Sequence, residues 1–194
     1  MIGSMDNTEG SLTEEQKDIL IGVILGDGAM RKKTHALLEI NHSYRQKEYV
    51  DWLYQKFKNF ISTQPKLRKT NGNRIAYRFT TKSLPQFTQY YEIFFKERRK
   101  SIPTSFNLKP LTLAIWYMDD GSRCDSDIYI NTQQFLKEEQ ENLIDLLYKY
   151  FSIKTTLNKD KQYWRIRIRK ESIYSFMNII SPYIIPTMKY KLLL

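Results

Sequence analysis

Apolar positions in this chain gather into two helix-like runs, each of which stops abruptly on a carboxylate and a glycine. Ile19-Leu20-Ile21-Gly22-Val23-Ile24-Leu25 ends on Gly26-Asp27-Gly28, and half a chain later Leu113-Ala114-Ile115-Trp116-Tyr117-Met118 ends on Asp119-Asp120-Gly121. Ser11 or Thr13 can cap the first helix, whose opening turn carries Glu14 and Glu15, the favourable sign for that end of the dipole. Gly22 and Gly26 share a face four residues apart, where small residues let a second helix approach closely despite the cost of helical glycine, ~1 kcal/mol each.

The spacing after each run predicts the same elements in the same order. In the first block, strands are expected at 29–33 and 37–41, and a helix at 46–60 through Tyr49, Val50, Leu53, Phe57 and Phe60. Strands at 66–69 and 74–80 follow, joined by a hairpin turn at Asn71-Gly72-Asn73, then a helix at 84–95 opened by Ser83 as cap and Pro85. Residues 96–110 are basic and carry Pro103 and Pro110, which suits a connection better than a core element. The second block reads helix 111–118, strands 122–124 and 128–132, helix 137–151, strands 155–158 and 163–169, helix 172–180. Ile40-Asn41 and Ile130-Asn131 occupy matching places. The pattern αββαββα therefore occurs twice, and the expected fold class is α+β with two pseudo-symmetric halves. The boundaries drawn are 1–10 for a tag-derived or disordered N-terminus (a tag remnant at Met1 to Ser4 before a natural start at Met5), 11–100 for the first half, 101–110 for a linker and 111–194 for the second half.

Composition narrows the class. The 41% hydrophobic content over 194 residues indicates a globular chain, and the absence of a long apolar run or signal-peptide layout predicts a soluble protein with no membrane partner. One cysteine, Cys124, excludes a disulfide framework and favours a reducing, intracellular compartment. Abundant Lys, Ile, Tyr and Asn suit an A/T-rich genome, which leaves a mitochondrial, plastid, bacterial or phage host open.

Charge changes the picture more. Lys and Arg outnumber Asp and Glu 31 to 21, for a net charge of +10 and a pI near 9.5, so an extended anionic partner is expected. In Trp164-Arg165-Ile166-Arg167-Ile168-Arg169 the strand period puts the arginines on one face and the apolar residues on the other. The first block repeats the ladder with Arg74 and Arg78 opposite Ile75, Tyr77 and Phe79, and with Lys66, Arg68 and Lys69 on the partner strand. Such a ribbon fits the ~12 Å major groove of DNA. Arg31, Lys33 and Arg123 on the shorter strands join the candidate DNA-binding set. The bland alternative is a sheet face kept soluble by arginine, which the repetition disfavours.

Leu20 to Gly28 and Leu113 to Gly121 each resemble the nine-residue motif of the LAGLIDADG homing endonucleases, in register, at the head of each αββαββα block. The likeness is to the single-chain, two-motif branch. It extends to Lys100-Ser101-Ile102-Pro103, to Pro110-Leu111-Thr112-Leu113-Ala114, to Asn131-Thr132-Gln133 and to Pro182-Tyr183-Ile184-Ile185-Pro186. The resemblance implies paired central motif helices, saddle-shaped antiparallel sheets lying on double-stranded DNA, and site-specific double-strand cleavage at a long asymmetric target with short 3′ overhangs. It implies Asp27 and Asp120 as metal ligands and catalytic residues, with Mg²⁺ or Mn²⁺ as cofactor and Ca²⁺ binding without efficient cleavage. Carboxylates suit such ions, and a cation removes the penalty of a carboxylate at a helix C-terminus. Gly26 and Asp119, equivalent in register, complete the candidate metal set, Asp119 as a supporting residue or as the ligand in place of Asp120. Lys100 and Lys191 take the place of a basic residue near each cleaved phosphate. Gln133 is placed to order a metal-bound water or face a base, with Asn41 as its weaker counterpart. His35 and His42 are too few and too poorly spaced for zinc. Ile115 and Asp119 depart from the small residues of the first helix, so the close packing must be asymmetric, and Trp116 and Tyr117 are bulky for a helix pair. The chain is expected to act as a monomer. Its rivals are a maturase for its own intron RNA, a non-cleaving DNA-binding protein of the same fold, and a basic scaffold.

Overall fold

The computed structural model describes residues 10–69 and 74–192. The proposed tag remnant and the Asn71-Gly72-Asn73 turn lie outside them. The first block runs α1 (Glu14–Leu25), β1 (Ala29–Lys32), β2 (Ala36–Ser43), α2 (Lys47–Phe57), β3 (Lys66–Lys69), β4 (Ile75–Thr80) and α3 (Pro85–Phe94). A short ribbon follows, β5 (Phe95–Lys96) and β6 (Arg99–Lys100), turning through Glu97 and Arg98 at positive φ. The second block is α4 (Pro110–Asp120), β7 (Gly121–Cys124), β8 (Asp127–Ile130), α5 (Lys137–Phe151), β9 (Thr155–Asp160), β10 (Tyr163–Ile168) and α6 (Lys170–Ile180). Each block builds an antiparallel four-stranded sheet, ordered β1-β2-β4-β3 and β7-β8-β10-β9. Helices α2 and α3 cover one face of the first sheet, and α5 and α6 one face of the second. The α+β class and the doubled αββαββα order are both present.

Thr13 opens α1 with a reciprocal cap: its hydroxyl accepts from the Gln16 N–H at 3.2 Å, and the Gln16 side chain accepts from the Thr13 N–H at 3.0 Å. Ser83 does not cap α3 as expected. Leu84 holds the cap position, and the Ser83 hydroxyl instead donates to the His35 carbonyl at 2.6 Å, tying the helix entry to the β1–β2 turn.

Helices α1 and α4 are buried around most of their circumference, as apolar-all-round helices must be. They pack against each other through an asymmetric seam. A Cβ added at Gly22 would lie 2.6 Å from Ile115 Cβ, and one at Gly26 would lie 2.4 Å from Asp119 Cβ. The glycines of α1 are therefore sockets for two side chains of α4. Tyr117 turns away from the seam, its hydroxyl donating to the Lys191 carbonyl at 2.9 Å and its ring meeting Phe176 edge-on. That direction resolves the crowding its bulk would cause between the pair.

Residues 101–109 carry no regular element, yet Ile102, Phe106 and Leu108 are buried, so this connection is docked on the core rather than looped through solvent. Among the described residues, no helix is long and apolar enough to cross a membrane.

Candidate active site

Both motif helices end at one place, and each end feeds the first strand of its sheet. There the Asp27 N–H donates to Asp119 Oδ2 at 3.0 Å, which links the two motifs directly. Asp27 itself is half exposed, whereas the Asp119 side chain has no exposure at all. Burial raises the Asp119 carboxyl to about 6, with His42 opposing and Asp27 adding to the rise. Asp120 is pushed further, to about 8, first by burial and then by the charges of Asp27 and Asp119, while Lys100 and Lys191 pull it down. Three carboxylates thus crowd one partly dry centre.

The two predicted lysines sit symmetrically about it. Lys100, at the end of β6, donates to the Gly26 carbonyl that closes α1. Lys191, in the terminal 3₁₀ turn Pro186–Lys191, donates to the carbonyls of Met118 and, at 3.1 Å, Asp119 at the end of α4. Each ammonium lies where the helix dipole is negative. Burial lowers both lysines from the ordinary ammonium value, and the aspartates only partly offset it.

Other candidates are placed differently. The Gly26 carbonyl, expected in the metal set, accepts from Lys100 and from Gln134 Nε2 at 3.4 Å. Gln133 is turned away from the aspartates and donates to Asp160 at 2.9 Å, on the β9 side. Its neighbour Gln134 faces the centre instead, donating to the Leu25 carbonyl at 3.2 Å and reaching Asp120 Oδ2 at 3.5 Å. No motif distinguishes the two glutamines in a loop; only the backbone direction does. His42, dismissed as a zinc ligand, is buried between the motifs, its ring nitrogens 3.7 Å from Asp27 and 3.8 Å from Asp119. Asp119 Oδ1 is buried and, among the described residues, has no hydrogen-bond partner. Crowded carboxylates with an unpaired buried oxygen fit a divalent cation, which would supply the missing partner and the missing positive charge.

Residues 17–176 match the model of the LAGLIDADG DNA endonuclease family, and both motifs fall inside that span. The chain belongs to the LAGLIDADG DNA endonuclease family. Its relatives include a probable intron-encoded endonuclease 1 of Wickerhamomyces canadensis, 33% identical, covering 94% of this chain and 86% of that one. Another is the cytochrome b mRNA maturase bI2 of Saccharomyces cerevisiae, 32% identical over 97% of this chain, which spans about half (49%) of that protein. Among solved structures, the homing endonuclease I-WcaI bound to its DNA recognition sequence superposes with a TM-score of 0.89 at 30% identity, covering 99% of this chain and 96% of that one. I-DmoI in complex with DNA and Ca shares the fold at a TM-score of 0.57 and 16% identity, over 84% of this chain and 87% of its own.

For this LAGLIDADG chain the strand registers divide the basic candidates between two faces. Arg31, Lys66, Arg68 and Arg78 lie on the open face of the first sheet with Glu39 and Asn41, since Arg78 pairs opposite both Asn41 and Lys66. Arg74 lies just before β4 on the same parity. Lys69 pairs opposite Ile75, so it belongs to the helix-covered face, a correction forced by its adjacency to Arg68. Ile75 is nevertheless exposed at this hairpin end rather than packed. Lys33 lies beyond the end of β1, its N–H donating to the His35 carbonyl at 3.4 Å.

In the second sheet Arg165 and Arg167 share the open face with Tyr129 and Asn158. Arg165 stacks 3.9 Å from the Tyr129 ring centre, and Arg167 donates to Asp127 at 2.7 Å. Arg169 continues that parity at the entry to α6, where it pairs with Glu171 at 3.0 Å. Arg123, by contrast, pairs opposite the buried Ile128 and donates to the Leu192 carbonyl at 3.5 Å. It serves the C-terminal segment, not the open face.

Proposed function

We propose that this chain is a site-specific DNA endonuclease that hydrolyses both strands of a duplex seated across the open faces of its two sheets. The observation that carries the reading is the convergence of Asp27, Asp119 and Asp120 with Lys100 and Lys191 where both motif helices meet their sheets. Asp27 and Asp120 would hold divalent cations, Mg²⁺ or Mn²⁺. A bound divalent ion supplies activated water and neutralises the leaving oxygen. Lys100 and Lys191, fixed on helix-end carbonyls, bring positive charge to the phosphates being cut. Gln134 orients Asp120, and the open-face arginines set the register of the duplex. Metal use is supported by the solved relative that holds DNA and Ca, and duplex binding by the relative solved on its recognition sequence. The products are short 3′ overhangs, one chain acts per site, and the unit boundaries are 11–100 and 111–194 around a docked linker. Selection of cleaved sites from a randomised duplex library tests this: Mg²⁺ should yield one long asymmetric site, and Ca²⁺ should retain binding without cleavage. No cleaved species in Mg²⁺ or Mn²⁺ would reject it.

The maturase relative motivates a second reading, action on the RNA of the chain's own intron. A chain built for RNA would prefer that folded transcript over the selected duplex, so direct competition between the two separates the readings.

A further inference from the structure

Three buried polar atoms gather beside the paired helix ends and, among the described residues, have no hydrogen bond of ordinary geometry: His42 Nε2, Asp119 Oδ1 and the Tyr49 hydroxyl, the last of which still leans on the Asp119 carboxylate closely enough to lower its pKa. Buried groups of this kind are almost always satisfied, so a cluster of them calls for a guest. The His42 side chain is 2% exposed and its Nε2 stands 3.8 Å from Asp119 Oδ1, too far for a hydrogen bond. The other ring nitrogen stands 3.7 Å from Asp27 Oδ2. Donor atoms of Asp27, His42 and Asp119 all lie within 4.8 Å of one another. With metal bonds of about 2.0–2.2 Å, ligands of one ion stand roughly 3 Å or more apart, so small side-chain movements would close the set.

The cluster breaks the molecule's pseudo-symmetry. Asp119 occupies the register of Gly26, and it fits only because Gly26 has no side chain. His42 follows Ile40-Asn41 as Thr132 follows Ile130-Asn131, but the Thr132 hydroxyl is already satisfied by Gln140 at 2.8 Å. Among the described residues, the first half therefore supplies an unsatisfied imidazole with no counterpart in the second, and it meets the Asp119 carboxylate at the end of α4. Ring T-contact with Tyr49, centroids 5.3 Å apart, fixes the imidazole plane.

We propose that His42 is a nitrogen ligand of a cation held by Asp27 and Asp119, making one of the two halves a mixed nitrogen–oxygen site that favours Mn²⁺ or Co²⁺ over Mg²⁺. Imidazole suits borderline Co²⁺ well, and Mn²⁺, though hard, tolerates a nitrogen ligand better than Mg²⁺, which takes oxygen in a strict octahedron. The inference rests on the reading of the helix ends as a divalent-cation centre, and deepens it by distinguishing the halves.

Pulsed electron paramagnetic resonance of Mn²⁺ bound to the whole chain, grown with ¹⁵N-histidine, tests it. The chain has only two histidines, His35 and His42, so the assignment needs one control. A directly bonded ¹⁵N coupling is expected in the wild type and in His35→Gln. It should vanish in His42→Gln, with Mn²⁺ affinity falling by at least the roughly 10–100-fold that loss of a mere outer-shell partner costs a metal site. Should His42→Gln not fold, the wild-type and His35→Gln spectra still decide. Mn²⁺ bound with oxygen coordination alone would overturn the nitrogen ligand and leave the cation centre standing. Failure to bind Mn²⁺ at all would remove both.

Discussion

Asp119 and Asp120 make acid–base behaviour a report on the helix ends. Both carboxyls are raised above the ordinary 3.8, to about 6 and about 8. The metal-free folded protein thus holds protons that the unfolded chain has released. Their stabilisation is complete below the unfolded value and is lost as pH rises through the folded values. In a chelator, the melting temperature should fall between pH 5 and pH 8.5, and Asp120→Asn should flatten the fall. Adding a divalent cation at pH 8 should restore it, because binding draws the native state. A melting temperature that rises over that interval in chelator would contradict the burial of these groups. At this scale Asp27 and Asp120 were legible because each ends a motif, and Lys100 and Lys191 only through the family resemblance; all four reach the centre. His42 and Gln134 were not legible, because a lone imidazole on a strand and one of two adjacent glutamines carry no pattern until the backbone aims them.

Two kinds of element carry the rest. The α1–α4 seam depends on Gly26, where a methyl group would meet Asp119 at 2.4 Å. Gly26→Ala should cost about 2–3 kcal/mol by overpacking, a fall of roughly 4–12 °C in melting temperature, with cleavage lost alongside. A variant as stable as the wild type would disprove the socket. The glycines announced a close approach in the sequence, and Ile115 and Asp119 announced its asymmetry. The sheets make a sharper comparison. Replacing Arg165 and Arg167 by alanine should lower the slope of log affinity against log salt by about 0.9 per phosphate contact, while Lys69→Ala and Arg123→Ala should leave it unchanged. An equal effect from both pairs would erase the distinction between faces. Strand period alone read the β10 ladder correctly. The same parity takes Lys69 and Arg123 off that face despite their charge: Lys69 is adjacent to open-face Arg68 and so points the other way, and Arg123 stands across from a core isoleucine.

The whole molecule is a doubled αββαββα unit whose halves meet at two carboxylate-tipped helices, and the doubling was readable because both periodicities repeat in order. The docking of 101–109 was not, since Ile102, Phe106 and Leu108 are scattered between polar residues and prolines. One chain supplies both sheets, so sedimentation with a duplex bearing the selected site should give one protein per site, without strong twofold symmetry in the sequence. A two-to-one complex on a palindrome would overturn that stoichiometry. The central claim is that Asp27 and Asp120 form one cleavage centre. Single-turnover cleavage of that duplex in Mg²⁺, with each strand labelled separately, tests it most directly. Asp27→Asn and Asp120→Asn should each abolish double-strand cleavage while duplex affinity stays within about tenfold, roughly 1.4 kcal/mol. Wild-type double-strand cleavage by either variant would contradict it.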